Sequence, residues 1–387
     1  MTTPLRIVFN ASAKQGSEAV SLNDMLDTGP SLTENLIDSL LSFRVGQYAL
    51  TADIAKAFLN VGLQESDRDY VRFLWTSDVQ NPSATPQTYR FRSVMFGSTS
   101  SPFLLQITLK KHLENCVSEL APLISRSFYV DNFSTVTDNE AELYSIKKAA
   151  TDCLAGAGMP LREWNSNCSQ FNREVGDSQR KESPSILGMR WNTSADTLSV
   201  NNPQISSVTS LTKRRALSIC SSLFDPLGIV SPLTIRGKLL IRDLWMLKLG
   251  WDEEVDQMYV NQLNELIVEF NQVDLVAVPR SAGLKDETFE LHIFTDASSQ
   301  AYGAVAYLVS LTTSTLLTSR ARVAPVKQKS IPQLELTALL LGCRLAKYIV
   351  STLEIKCDIH IWSDNLPCLQ WVAHNNSNLV YVRNRVG

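Results

Sequence analysis

Five carboxylates stand where an acidic side chain could do chemistry. Asp53 closes the apolar run "YALTAD", and Asp131 sits in "SFYVDNFSTVT". Asp296, Glu335 and Asp364 occur in "FTDASSQAYGAV", "PQLELTALLLG" and "IHIWSDNLPCLQWV". Carboxylates delivered from separate elements can hold two Mg²⁺ ions roughly 3.5–4 Å apart, one activating an oxygen nucleophile and one steadying a leaving oxygen. Water and phosphate oxygens complete the Mg²⁺ shell, so two or three protein carboxylates suffice. Taken singly, each aspartate is equally an ordinary turn or cap residue, and spacing alone does not pair Asp53 with Asp131. Glu335 is different, because it lies inside an apolar helical run where an unpaired charge is costly. Asn132 follows Asp131 at the position where a second carboxylate would make half of a two-metal site.

Positioning such groups requires rigid elements. "QYALTADIAKAF" reads as a strand running into a turn and a short helix, and "YVRFLW" and "TYRFRSVMF" as a hairpin around a polar loop. "SSPFLLQITLKKHLENCV" is a helix opened by Ser-Pro. "RSFYVDNFSTVT" is strand, turn, strand, followed by the helix "DNEAELYSIKKAATDCLAGAG". Ahead of these, "SLTENLIDSLLSFR" predicts an amphipathic helix with Ser31 and Glu34 as a capping box. "LRIVFN" reads as a strand so near residue 1 that the chain is expected to begin inside a domain. The polar stretch from about 165 to 215, with "SNCSQFNREVGDSQRKESPS", is the best linker candidate, and a helical region punctuated by Pro226 and Pro232 follows it. From about 288 come three strands, the long apolar helix "SIPQLELTALLLGCRLAKYIVSTL" and the strand "CDIHIWSDN". The fold class expected is α+β: two domains joined by a helical connector.

Composition narrows the class without naming it. Thirty-six Lys and Arg residues against 39 Asp and Glu give a net charge of −3. That argues against a wholesale nucleic-acid coat but not against a local basic groove. Seven cysteines are scattered without a CxxC pattern, so reduced, mostly buried thiols are expected. None of the four histidines pairs with a cysteine at zinc-ligand spacing. There is no charged-then-apolar leader and no uninterrupted run approaching about 18 apolar residues, so a soluble intracellular protein with no membrane partner is expected.

The words "LTADIAKAF", "MFGSTSSPFLLQ" and "YVDN", followed by "GMPLREWNSN" and "ILGMRWN", occur in an order that resembles the reverse transcriptases of long-terminal-repeat retrotransposons, most closely the BEL/Pao group. The resemblance covers nearly the whole chain. It implies a right-hand polymerase with a palm and fingers over 1–165, a thumb or connection-like region over 166–287 and a ribonuclease H-like α/β domain over 288–387. It implies RNA-directed DNA polymerisation by two-metal phosphoryl transfer. Asp53 matches the aspartate of the first palm motif. Phe58 matches the aromatic that crowds a ribose 2′-OH, though it can equally be core packing. Gly97 and "SSPF" match the motif lining the base pair and template, while Gln106 a turn deeper is as readily structural. Tyr129 and Asp131 match the first positions of the Tyr-x-Asp-Asp box. Arg6 resembles a triphosphate-contacting fingers arginine, although a lone basic strand residue is commonly a solvated face. Two departures stand out: Asn132 replaces the second aspartate of the box, and Asn10 sits where the family usually shows Asp.

The second set, Asp296, Glu335 and Asp364, resembles a ribonuclease H site, with Ser298 and Gly303 suiting its first hairpin. The family's fourth acidic ligand has no candidate here, and the last strand and helix are expected to be missing, so this domain is expected to be truncated. A competing reading is an aspartic peptidase around Asp296, since "FTDASS" superficially resembles Asp-Thr/Ser-Gly. Ala after the Asp and the lack of a second copy oppose it. In the connector, Lys213, Arg214 and Arg215, with Arg236, Lys238 and Arg242, either track phosphates or form a solvated helix face. "LFDPLGIVSP" is expected to be a scaffold turn.

The resemblance implies two Mg²⁺ ions per site, with Mn²⁺ as a substitute. The implied partners are an RNA or DNA template-primer, dNTPs and an RNA–DNA hybrid, with a protease and integrase as sister products of a polyprotein. A cytoplasmic, virus-like-particle location with a nuclear phase follows from the same source. The alternative from a different class is a weakened or inactive remnant that only binds nucleic acid or a partner.

Overall fold

The computed structural model describes residues 9–16, 18–33, 35–76, 78, 80–81, 83–176, 180, 184–283, 288–374 and 380–386. The strand expected over "LRIVFN", Arg6 included, lies largely outside them. The first short helix, α1 (Leu22–Met25), is closed by a capping box between Ser21 and Asp24. In α2 (Leu36–Ser42) the cap is Asn35, whose side chain accepts from the Ile37 N–H. This corrects the expected Ser31 cap. Glu34 lies outside the described residues.

The strand β1 (Tyr48–Ile54) buries four consecutive residues, Ala49 to Ala52, because both of its edges and both its faces are used. β2 (Arg72–Trp75) and β3 (Gln87–Arg90) form the expected hairpin. α3 (Ser101–Glu114) carries proline in its first turn, where no N–H is missed. After α4 (Ala121–Arg126) come β4 (Phe128–Tyr129), β5 (Asn132–Thr137), α5 (Glu140–Ala155) and β6 (Leu161–Ser166). The sheet order is β4-β5-β1-β6, with β1 antiparallel to both of its neighbours. Leu105, Leu109 and Leu113 of α3, Ile146, Ala150 and Leu154 of α5, Phe133 and Trp164 share one core beneath it.

The described residues of the segment read as a linker form regular elements. Ser169–Val175 is helix α6, with Phe171 and Val175 buried. β7 (Ser185–Ile186), β8 (Met189–Asn192), β9 (Thr197–Ser199) and later β10 (Ala277–Pro279) form a second sheet in the order β10-β9-β8-β7. Trp191, wholly buried, holds that sheet against Phe43 edge-to-face. Strands this short give too little alternation to be read from sequence. The connector then supplies α7 (Lys213–Ser222), α8 (Ser231–Met246) and α9 (Gln257–Phe270).

The last sheet comprises β11 (Phe289–Ala297), β12 (Ala301–Ser310), β13 (Ser314–Val323) and β14 (Asp358–Trp362), in the order β13-β12-β11-β14. β14 runs parallel to β11, which demands a crossover. The 23-residue helix α10 (Ile331–Leu353) provides it. α10 is long and apolar enough to cross a membrane by length and composition, but it buries Leu334, Leu336, Ala338, Leu345 and Ile349, and Gly342 lies against Ile293 and Thr295. α11 (Leu366–His374) and α12 (Val380–Val386) follow.

One core runs from Leu40 and Leu41 of α2 through Trp191, Leu240 and Phe270 to Leu291, Leu317 and Ile349. Two fully buried arginines cross it. Arg44 donates to the Leu317 and Pro279 carbonyls at 2.6 and 2.8 Å. Arg280 donates to the Phe43, Gly46 and Gln47 carbonyls and pairs with Asp196 at 2.7 Å. Burial and the neighbouring Arg280 cation pull Arg44 down to about 10.

The cysteine expectation needs correcting. The end of α3 meets α5 with Cα atoms 6.2 Å apart, and Cys116 and Cys153 are joined as a disulfide. Cys168, Cys220, Cys343, Cys357 and Cys368 are free. A contact between residues 37 apart is not visible in a pattern of spacings.

Candidate active sites

β1 presents Asp53 directly opposite Asn132 of β5 and Arg162 of β6. The β4–β5 hairpin closes with the two residues Val130 and Asp131. Val130 takes φ 57°, a left-handed conformation that a β-branched residue adopts only under strain. The backbone is further tied to β1 by Ile54 N–H donating to the Asp131 carbonyl at 3.1 Å. Burial and the Asp131 carboxylate push Asp53 up to about 6, with Glu163 adding to the rise and Arg162, 3.4 Å away, opposing it. Asn132 donates its amide to Asp131 Oδ1 at 3.1 Å.

The other residues singled out in sequence have varied surroundings. Phe58 lies in a 3-10 turn (Ala57–Asn60), half-buried and edge-to-face with Phe96 at 5.2 Å. It therefore packs against the core. Gly97 has φ 89°, and a Cβ there would meet the Phe9 carbonyl at 2.6 Å. Tyr129 is half-buried on β4, beside the turn. Gln106 bonds Thr33 at 2.7 Å, which is a structural role. Asn10 accepts from Ser12 N–H in a local turn. Arg162 and Glu163 were not singled out, although "GMPLREWNSN" contains both.

The connector cations are mostly spoken for. Lys213 is buried and donates to the Leu247 and Leu249 carbonyls. Arg214 is held bidentately by Asp252 and lies over Trp251. Arg236 pairs with Glu269, and Arg242 with Asp243. Arg215 and Lys238 remain exposed to solvent. In "LFDPLGIVSP" Asp225 accepts from Ile229 and Val230 N–H, and Ser319 donates to the Gly228 carbonyl, so the expected turn is present.

At the other end of the chain, Asp296 on β11, Glu335 on α10 and Asp364 just after β14 bring carboxylate oxygens within 4.8 Å of one another. Glu335 is 4% exposed. One of its oxygens, Oε2, is buried without a hydrogen-bond partner. Burial, then Asp296, then Asp364 raise its pKa. Ser298 N–H bonds the Ala301 carbonyl at 2.8 Å to close the hairpin, and Gly303 pairs with Asp296 across it.

A second cluster, Glu290, His292 and His360, also converges on β11 and β14. Trp362 Nε1, which can only donate, lies 3.1 Å from His292 Nδ1. The imidazole proton therefore sits on Nε2, 2.8 Å from Glu290, and that nitrogen is not free for a metal.

Residues 20–189 match the family described as reverse transcriptase (RNA-dependent DNA polymerase). Residues 212–365 match the Pao retrotransposon-like RNaseH-like domain. No curated protein matches the chain. Among solved structures, it is similar to a foamy viral protease-reverse transcriptase dRH in complex with double-stranded DNA, at 15% identity and TM-score 0.60, covering 94% of this chain and 58% of that one. The foamy viral protease-reverse transcriptase in complex with RNA/DNA hybrid gives 13% and 0.59, covering 95% and 46%. The same protein in complex with dsDNA gives 15% and 0.57, covering 94% and 69%. The chain thus spans about three fifths of the length of the first of these. The two family matches, on a fold of this kind, define a reverse transcriptase domain followed by a ribonuclease H-like one. The second of these domains is of the Pao retrotransposon-like kind.

Proposed function

We propose that the chain acts as an RNA-directed DNA polymerase with an attached ribonuclease H activity, dividing near residues 165 and 287 into palm and fingers, connection, and nuclease. The observation that carries this reading is the convergence of Asp53 and Asp131 at one sheet edge, where Asp53 is held up to about 6 by burial and its neighbour. A carboxyl held back from ionising beside a second carboxylate is relieved by a divalent cation, so the residues fit one. The orphaned Oε2 of Glu335 makes the same case for the second site. Asp53 and Asp131 would hold ions at the first site, and Asp296, Glu335 and Asp364 at the second, with Mg²⁺ the expected ion and Mn²⁺ its substitute. When bound, the ions supply Lewis acidity that lowers the pKa of an attacking hydroxyl or water and shields phosphate charge.

The chain's own side chains do the rest. Phe58 walls the sugar side of the nucleotide and opposes a 2′-OH. Gly97 lets the backbone approach the base pair without a Cβ. Tyr129 borders the turn that presents Asp131, and Asn132 offers an amide oxygen but no charge. Arg6 is proposed to meet the triphosphate of an incoming dNTP. The substrates are a primed RNA or DNA template and dNTPs at the first site, and the RNA strand of an RNA–DNA hybrid at the second.

Primer extension on an RNA template with Mg²⁺ or Mn²⁺ tests the reading. Incorporation that Asp53→Ala abolishes supports it, and no incorporation by the intact chain overturns it. The second reading, a remnant that binds without catalysis, is favoured by one observation, the neutral Asn132 beside Asp131. It predicts template binding with no extension under either ion.

A further inference from the structure

Near its start β6 carries a cation, an anion and an aromatic in succession, Arg162, Glu163 and Trp164. Register decides which of them faces Asp53. β1 and β6 pair regularly at Leu50 with Ser166 and at Thr51 with Asn165. Continued without a break, that pairing would set Trp164 against Ala52 and Glu163 against Asp53. Like charges directly opposite across an antiparallel pair are destabilising. Instead the register slips between Thr51 and Asp53, so that Glu163 and Trp164 together oppose Ala52, and Arg162 faces Asp53. The slip holds Glu163 in a left-handed backbone at φ 56°, a conformation that favours glycine. Bulges re-aim side chains, and this one exchanges an anion for a cation beside the carboxylate.

Asn132, Asp53 and Arg162 therefore form one row across β5, β1 and β6: an amide, a carboxylate and a guanidinium. Arg162 Nη2 donates to Asp53 Oδ1 at 3.4 Å, a long contact where a close arginine–carboxylate pair shortens to about 2.7–2.9 Å. Arg162 Nε is buried without a hydrogen-bond partner, and the Glu163 carboxylate stands 4.0 Å from it. The guanidinium thus rests on Asp53 without being locked there. Letting go of the carboxylate gives up one long bond.

We infer that Arg162 is a positioning residue of the polymerase site: it is the resident counter-ion that holds Asp53 while the site is empty, and a divalent ion must displace it. Arg162 therefore sets the ion concentration at which the site fills. The inference rests on the polymerase reading of Asp53 and Asp131. It gives β6 a part that the motif words do not mark.

Fe²⁺-mediated hydroxyl-radical cleavage of the full chain reads the two sites separately, because cuts near residues 53 and 131 report the first and cuts near 296–364 the second. Arg162→Gln removes the charge and should need about tenfold less Fe²⁺ for half-maximal cutting at the first site. Cutting at the second should be unchanged, which checks folding. Arg162→Met should behave as Arg162→Gln does, whereas Arg162→Lys keeps the charge and should stay within about twofold of the parent. Melting separates a counter-ion from a structural arginine. Without metal, Arg162→Gln should lower the melting temperature, since Asp53 loses its partner; with saturating Mg²⁺ the difference should close, since the ion takes that place. A merely structural arginine would lower it equally in both. If the two neutral variants leave the iron requirement at the first site unchanged or raise it, or if Arg162→Lys lowers it as they do, while Asp53→Asn removes cutting there, the inference is overturned and the polymerase reading stands. If Asp53→Asn also leaves that cutting unchanged, the reading of the site itself fails.

Discussion

Asn132 faces Asp53 across the β1–β5 pair and turns its amide aside to donate to Asp131 at 3.1 Å. The donated bond engages an Asp131 lone pair that an ion would otherwise take. Asn132→Asp removes that donor and adds a charge. It should lower the divalent concentration for half-maximal primer extension by roughly tenfold, equivalent to about 1.4 kcal/mol. A titration of Mg²⁺ in extension assays measures this, and an unchanged midpoint would place the limit on activity elsewhere.

The raised pKa of Asp53 carries a stability signature. Its folded value, about 6, lies above its ordinary 3.8, so between these the folded state binds more protons than the unfolded one. Stability contributed by the neutral form is complete below pH 3.8 and is lost as pH rises through 6. Asp53→Asn should therefore stabilise the metal-free chain at pH 7.5, by at most about 3 kcal/mol, and change it little at pH 3.8. Thermal melts of both proteins at the two pH values decide it. Added Mg²⁺ should raise the melting temperature of the parent more than that of the variant.

Glu335 makes the same point in a drier place. Its charge is buried beside Asp296 and Asp364, and one oxygen lacks a partner. Glu335→Gln should raise the metal-free melting temperature by about 2–4 °C, as expected when a costly buried charge is removed. The same variant should lose cleavage of an RNA–DNA hybrid. A lower melting temperature would show that the carboxylate holds α10 in place.

Arg280 is wholly buried and serves Asp196 together with three carbonyls. Arg280→Met keeps the volume but strands those acceptors. It should destabilise the chain by about 3–5 kcal/mol, the usual cost of breaking a buried pair from one side. Urea unfolding gives the number. A loss under about 1 kcal/mol would mean that water replaces the guanidinium.

The parts legible in sequence were those written in contiguous words. "LTAD", "YVDN" and "FTDASS" each combine an apolar strand with the turn that ends it, so local patterning delivers both the element and its terminal carboxylate. Glu335 declared itself by being charged inside an apolar helix. What stayed hidden depends on register or on distant partners. The bulge that sets Glu163 and Trp164 together against Ala52, and Arg162 against Asp53, is a one-residue slip between strands, and no string records it. The small sheet holding Trp191 reads as a linker in sequence because its strands are two to four residues long. The connector cations looked ready for phosphates, but Lys213 and Arg214 find their partners more than thirty residues away, at Leu247, Leu249 and Asp252.

Arg44 and Arg280 set a limit on modularity. Two separate family descriptions match the two ends of this chain, which invites cutting it into a polymerase piece and a nuclease piece. Yet the guanidinium of Arg44 finds its acceptors at Pro279, Arg280 and Leu317, and Arg280 finds its own at Phe43, Gly46 and Gln47. Each arginine is solvated by the other's half. An excised palm would lose every carbonyl that Arg44 bonds and bare the surface around it, and the remainder would leave Arg280 with Asp196 but without its three carbonyls. The two matched regions should therefore unfold as one unit, and a calorimetric scan of the whole should show them melting together.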